Sequence, residues 1–311
     1  MKLTFLGTGA GKPSKMRNVS GFALDMVENY GYAFLFDCGE GTQHQIMYTN
    51  LKLSHIKCIF ITHLHGDHIY GLPGLLGTRS FENQKDPLTV YGPKGIKTFL
   101  DTVLEVSGTH LTYPLEVVEV NSGDVFHFDR FTIEVALLEH VVPSFGYRLV
   151  ETSPESLDAD KLKELGIPPG PIYGRLKNRE TVVVDGKVLS GEDFLLPPKV
   201  RRIVTICGDT RKCAVSVQLA RDATVLVHEA THMVDEAEKA YKYFHSTSKD
   251  AATVAIEAGV KSLVLNHTSS RYFDGGAELL EEARAIFPKT YIAKDLAEFR
   301  VKDEGAEPDI L

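Results

Sequence analysis

Tryptophan is absent, and the four cysteines, Cys38, Cys58, Cys207 and Cys213, form no C-x-x-C pair. That spacing excludes a paired-thiolate metal cage, and the cysteines read as small buried hydrophobes in a reducing compartment. No apolar run approaches the roughly 20 residues of a membrane span. The opening MKLTFLGTG is too short in its apolar part, and too soon followed by glycine, to read as a signal peptide. A cytoplasmic enzyme with no membrane partner is the expectation. A basic surplus is missing as well: 34 Lys+Arg stand against 42 Asp+Glu, a formal charge of −8. That balance speaks against nucleic acid, DNA included, although net charge says nothing of local patches. Two such patches exist, Lys12, Lys15 and Arg17 in one loop and Arg175, Lys177 and Arg179 in another. Either cluster alone reads as solvated surface.

Short runs of β-branched and aromatic residues are plentiful: LTFLG, FALDM, AFLFD, KCIFIT, LTVYG, LEVVEV, DVFHF, FTIEVALL and GYRLV read as strands. IKTFLDTVLEVS, MVDEAEKAYKYF, DAATVAIEAG and GAELLEEARAIF carry apolar residues at helical spacing. The third helix has a glycine stop at Gly259 and hydroxyl caps on offer at Ser246, Thr247 and Ser248. A mixed α/β chain follows, and 311 residues suffice for a single domain over 1–311. Residues 151–198 depart from the pattern, being bounded by prolines, dense in charge and poor in apolar residues. They read as an inserted projecting arm that lacks the apolar mass for a core of its own.

The densest chemistry lies in IFITHLHGDHIYG, where His63, His65, Asp67 and His68 fall within six residues after an apolar strand. On a helix, residues two apart do not face one another, whereas a turn leaving a strand lets them converge. A lone histidine is usually a satisfied surface or core residue, but three imidazoles and a carboxylate in one turn point to a metal. Further donors should then leave other strand ends. FTIEVALLEH places His140, RRIVTICGDT places Asp209 and SLVLNHTSS places His267 in that way. Imidazole and carboxylate suit zinc, with manganese tolerated where carboxylates dominate.

The run THLHGDH resembles the H-x-H-x-D-H signature of the metallo-β-lactamase fold, and the later His, Asp and His fall at its remaining donor positions. Within that superfamily the chain is similar, through essentially its whole length, to the ribonuclease Z family of tRNA 3′-processing endonucleases. The resemblance implies an α/β fold, an αββα sandwich of two mixed sheets flanked by helices, with two zinc ions at one edge. His63, His65 and His140 would hold one, Asp67, His68 and His267 the other, and Asp209 would bridge. It also implies removal of the 3′ trailer from precursor tRNA by attack of a metal-bound hydroxide, with Asp67 as general base. The family acts as a homodimer, one subunit's arm gripping the tRNA that the other cuts.

The run VLVHEATHM contains a literal H-E-x-x-H, the mark of a zinc protease when it lies in a helix. Here it follows the strand-like ATVLV, so His228 and His232 need not share a helical face, and their roles stay open. HEAT and the HST of residues 245–247 resemble paired loops of the family instead. That assignment couples Glu229 to His245, which protonates the departing ribose oxygen. KPSKMRN resembles the family's P-x-K-x-R-N loop at Pro13, Lys15, Arg17 and Asn18, tied to cleavage after the discriminator base and rejection of CCA ends. GIPPGPIYGRLKNRE resembles its tRNA-binding exosite, with Arg175, Lys177 and Arg179 as phosphate contacts, and Thr247 is expected to touch tRNA as well. His44, His55, His110 and His127 have ordinary structural readings. The competing readings are another binuclear zinc hydrolase, acting as small-molecule phosphodiesterase, arylsulfatase or thioesterase, and a non-catalytic RNA-binding module.

Overall fold

Alternation along the strands sorts the sheet faces, because successive side chains point to opposite sides. In the computed structural model, which describes residues 1–82, 84–272 and 275–309, one face of the first sheet is aromatic. Phe5, Phe22, Phe36, Phe60 and Tyr91 stand opposite one another on five neighbouring strands. Their ring centroids are spaced 5.2, 5.5, 5.3 and 4.8 Å apart, each pair stacked. The alternate residues Leu6, Ala23, Leu35, Ile59 and Val90 face the other way, against Leu72, Leu75, Leu76, Ile96 and Leu100 of two helices.

The first sheet has eight strands, in the order Gly305–Pro308, Glu298–Lys302, Lys2–Gly7, Gly21–Asp25, Ala33–Phe36, Ile56–Phe60, Leu88–Gly92 and Leu115–Glu119. It is mixed: the last four are parallel, the others antiparallel. The second sheet runs Thr290–Ile292, Leu263–Asn266, Val225–Glu229, Val200–Cys207, Phe145–Thr152, Phe131–Leu137 and Val125–His127. Its first four strands are parallel, and Leu226, Leu263 and Leu265 pack under the helices Ser248–Ala258 and Ala277–Arg284. Tyr147 of the second sheet meets Phe60 of the first at 5.3 Å, and its hydroxyl donates to the Ile61 carbonyl at 2.7 Å. Helices, sheet, sheet and helices thus form the four layers of an αββα sandwich.

The chain parts into two compact units. One holds Met1–Phe126, Ile133–Leu149 and the chain from Ile203 onward; the other holds His127–Thr132 and Val150–Arg202. The expectation that residues 151–198 lack a core does not hold. Leu162, Ile167, Leu176, Val182, Leu189 and Phe194 bury one another there. The short helices Ala159–Glu164 and Pro171–Lys177 supply Leu162 and Leu176, the hairpin Thr181–Val184/Lys187–Ser190 supplies Val182 and Leu189, and Ile167 and Phe194 come from the link between the helices and the turn Gly191–Phe194. Six apolar side chains spread over thirty-odd residues look dilute in sequence, yet the hairpin turn at Asp185–Gly186, both with positive φ, folds them together.

Candidate metal centre

Strands that stop at one rim deliver their following residues to the same place. His63, His65, Asp67 and His68 come after Ile56–Phe60, Asp209 after Val200–Cys207, His267 after Leu263–Asn266 and His140 after Phe131–Leu137. All seven converge, and their donor atoms fall into three overlapping groups: His63, His65 and His140; Asp67, His68 and His267; and His63, His68 and Asp209.

Distances test whether cations fit. Donors bonded to zinc at about 2.0–2.1 Å in a tetrahedron lie roughly 3.3 Å apart. His65 Nδ1 lies 3.1 Å from His63 Nε2 and 3.4 Å from His140 Nε2. In the second group, His68 Nε2 is 3.2 Å from His267 Nε2 and 3.5 Å from Asp67 Oδ2, which is 3.4 Å from His267 Nε2. Asp209 Oδ2 stands 3.7 Å from His63 and His68 and 3.3 Å from His267, so it faces both groups. The donor set fits two cations sharing one carboxylate.

The far nitrogens of four imidazoles explain the aim of the near ones. His68 Nδ1 donates to Asp37 Oδ2 at 2.7 Å and His140 Nδ1 to the Phe244 carbonyl at 3.0 Å. The Thr62 hydroxyl, itself donating to Asp37, sits 3.0 Å from His63 Nδ1. The Thr231 hydroxyl, donating to Glu229, sits 3.1 Å from His267 Nδ1. Each partner can accept from the ring, so Nδ1 is anchored away from the rim and Nε2 is turned toward it. Burial and the neighbouring imidazoles hold His63 well below its ordinary pKa, in the neutral form a ligand needs. Burial works against charge on Asp67, but hydrogen bonds to His267 and His68 prevail and keep its carboxyl below the usual range. The backbone N–H of Gly11 adds a bond to Asp67 Oδ2 at 2.8 Å.

Beside the rim, Glu229 Oε1 accepts from His245 Nδ1 at 2.9 Å, and its two oxygens also receive Thr210 N, Thr231 Oγ1 and Ser246 N. Burial opposes charge on His245, yet the Glu229 carboxylate outweighs it and pushes the imidazole up to about 9. His245 is therefore cationic at neutral pH and 19% exposed. His228 and His232 are not in any donor group among the described residues. His228 is buried in the strand Val225–Glu229, and His232 pairs with Glu236 at 3.0 Å. A run that begins in a strand gives H-E-x-x-H no helical face.

Two of the residues expected to touch RNA lie inside the fold. Arg17 is 6% exposed, and its guanidinium donates to Thr8 Oγ1, the Ala293 carbonyl and the Gly275 carbonyl, so it clamps the glycine loop from inside. Thr247 is 1% exposed and caps the helix Ser248–Ala258 in a reciprocal box with Asp250. Pro13 and Lys15 are exposed on the loop, while Asn18 bonds the Glu40 carbonyl through its side chain. In the other unit, Arg175 pairs with Glu180 and Arg179 with Glu155 and Glu192, whereas Lys177 is exposed. Asp37, Thr62 and Thr231 escaped the sequence reading; Asp37 does carry its signal, an acid directly after the strand AFLF.

Two mixed sheets between helices, with histidines and aspartates gathered at their rim, define a protein of the metallo-β-lactamase fold. Ribonuclease Z of Bacillus cereus is 55% identical to this chain over 306 residues, 97% of the chain and 100% of that protein. Ribonuclease Z of Bacillus thuringiensis is 54% identical over 305 residues, 97% of the chain and 99% of that protein. The crystal structure of human tRNase Z, short form, superposes with a TM-score of 0.69 at 32% identity, covering 97% of this chain and 99% of that one. The chain belongs to the ribonuclease Z family, and over residues 1–162 it also belongs to the family whose model is described as anti-Pycsar protein Apyc1. That shorter stretch contains His63 to His68 and His140 but stops before Asp209, Glu229, His245 and His267.

Proposed function

We propose that this chain is a zinc-dependent endoribonuclease that removes the 3′ trailer from precursor tRNA, leaving a 3′-hydroxyl on the tRNA and a 5′-phosphate on the trailer. The observation that carries the reading is the Glu229–His245 pair beside a rim where Asp209 faces two donor groups. Identity along the whole length of ribonuclease Z relatives supports it over a small-molecule hydrolase.

Two zinc ions would be held by His63, His65 and His140 and by Asp67, His68 and His267, with Asp209 shared and manganese tolerated at the carboxylate-rich position. Bound there, such ions lower the pKa of water and offset charge on phosphoryl oxygens. Asp67, ionised and steadied by Gly11 N, orients the attacking water and accepts its proton. His245 donates a proton to the departing ribose 3′ oxygen, and Glu229 keeps that imidazole charged and aimed. Pro13, Lys15 and Asn18 line the RNA beside the cut, and Arg17 holds their loop in shape. Arg175, Lys177 and Arg179 make sequence-blind phosphate contacts, the two arginines exchanging carboxylates for phosphates when RNA arrives. The working form is a cytoplasmic homodimer.

The test is direct. Purified protein is incubated with a precursor tRNA bearing a 3′ trailer, with and without chelator, and the ends are mapped. A single metal-dependent cut with the stated termini supports the reading; an intact precursor alongside rapid hydrolysis of small diesters overturns it.

A further inference from the structure

His245 opens into a cleft of about 470 Å³ lined also by Arg211, Lys212, Glu238, Tyr241 and Asp250. That volume falls in the range of small-molecule sites, about 300–1,000 Å³. Its floor is built rather than incidental. The Arg211 guanidinium lies 4.5 Å from the Tyr241 ring and 4.4 Å from the Phe244 ring, held there by a 2.8 Å bond from Nε to Glu139 Oε2. Tyr241 is nonetheless 65% exposed, so much of its ring surface remains open.

The shelf is joined to the metal centre through the main chain. Arg211 is two residues past Asp209, and its N–H donates to the carbonyl of Glu139, the neighbour of His140. Phe244 precedes His245, holds a positive φ of 58° and receives His140 Nδ1 on its carbonyl.

Charge decides what such a cleft accepts. Its three cations are already paired, Arg211 with Glu139, Lys212 with Glu257 at 2.6 Å and His245 with Glu229 at 2.9 Å. Asp250 is tied into the helix cap, and Glu238 adds an exposed carboxylate. A phosphate would meet no uncommitted cation there and two acids. A flat, neutral heterocycle with N–H donors meets an aromatic face and a carboxylate acceptor.

We infer that Tyr241, braced by Arg211 and Phe244, is a stacking platform for the base of the last nucleotide retained on the cleaved RNA, the one whose 3′ oxygen receives the His245 proton. The inference rests on the proposed reaction, because His245 marks the leaving-oxygen side of the scissile phosphate. Tyr241 is thus a specificity-determining residue, favouring purines for their larger stacking face and bases with exocyclic amines through Glu238.

The experiment places 2-aminopurine at the last retained position of a precursor tRNA and reads fluorescence and cleavage in the same sample with the full protein. Stacking quenches the probe on binding. Tyr241→Ala abolishes the quench and lowers kcat/KM roughly tenfold, mostly through KM, while Tyr241→Phe keeps both. Melting temperatures of both variants should match the parent, since the side chain is largely solvated. An equal quench in the alanine variant, or a quench only when the probe is the first trailer nucleotide, overturns the platform. RNA that quenches yet is never cut removes the nuclease reading while leaving the platform standing.

Discussion

Asp37 stands behind the histidine rim rather than on it. Its carboxylate receives His68 Nδ1, Thr62 N and Thr62 Oγ1, and so sets two of the imidazoles at once. Its φ of 55° is left-handed, a conformation asparagine also adopts readily. Asp37→Asn therefore removes the charge without straining the backbone. Metal affinity should fall about 10–100-fold, measured by competition with a chromogenic chelator; unchanged affinity would separate Asp37 from the centre. Arg17 and Lys15 make a second contrast. Arg17→Ala strands buried acceptors at Thr8, Ala293 and Gly275 and should cost at least about 2 kcal/mol in urea unfolding. Lys15→Ala should stay within about 0.5 kcal/mol of the parent while flattening the salt dependence of RNA binding. The seven donors were legible because each leaves an apolar strand within a few residues. The burial of Arg17 was not, because a cation in a loop looks the same in sequence whether it points outward or is folded under by residues 258 and 276 positions away.

Strands and helices were largely readable from period and caps, since those signals are local. The helix Ser248–Ala258 begins and ends at the expected hydroxyl and glycine, and Gly259 closes it with φ 67°. Thr247→Ala should lower stability by about 1 kcal/mol through the lost cap, seen in thermal melts, and leave RNA affinity as it was. Close approach between strands is a different matter, invisible until the sheets meet. Gly208 lies where a Cβ would come within 2.6 Å of Thr62 Cβ and 2.7 Å of Ser144 Oγ. Gly208→Ala must push the Asp209 segment away from His63. Cleavage and metal content should drop together, with secondary structure retained by circular dichroism. The segment 151–198 was misjudged for the converse reason: its core consists of single apolar residues drawn from helices, hairpin strands and the turns between them, and composition averages them away.

For the molecule as a whole, the ends of that segment are tied to each other. Ser153 N donates to the Lys199 carbonyl, and Lys199 N to Ser153 Oγ, at 2.8 and 3.0 Å. Replacing residues 154–198 by a short turn should thus leave zinc content and hydrolysis of a small chromogenic phosphodiester near the parent level while precursor tRNA processing collapses; equal loss of both activities would refute a separate role in holding RNA. A last consequence concerns the order in which the chain is made. The strand Lys2–Gly7 lies between Gly21–Asp25 and Glu298–Lys302, and Asp295 accepts from Thr8 and Asn18 beside the glycine loop. The strand Lys2–Gly7 must wait for one nearly 300 residues behind it before its edge is covered and its loop is set. The glycine loop beside Asp67 is thereby set only once Asp295 has been made, later in synthesis than any of the seven rim side chains.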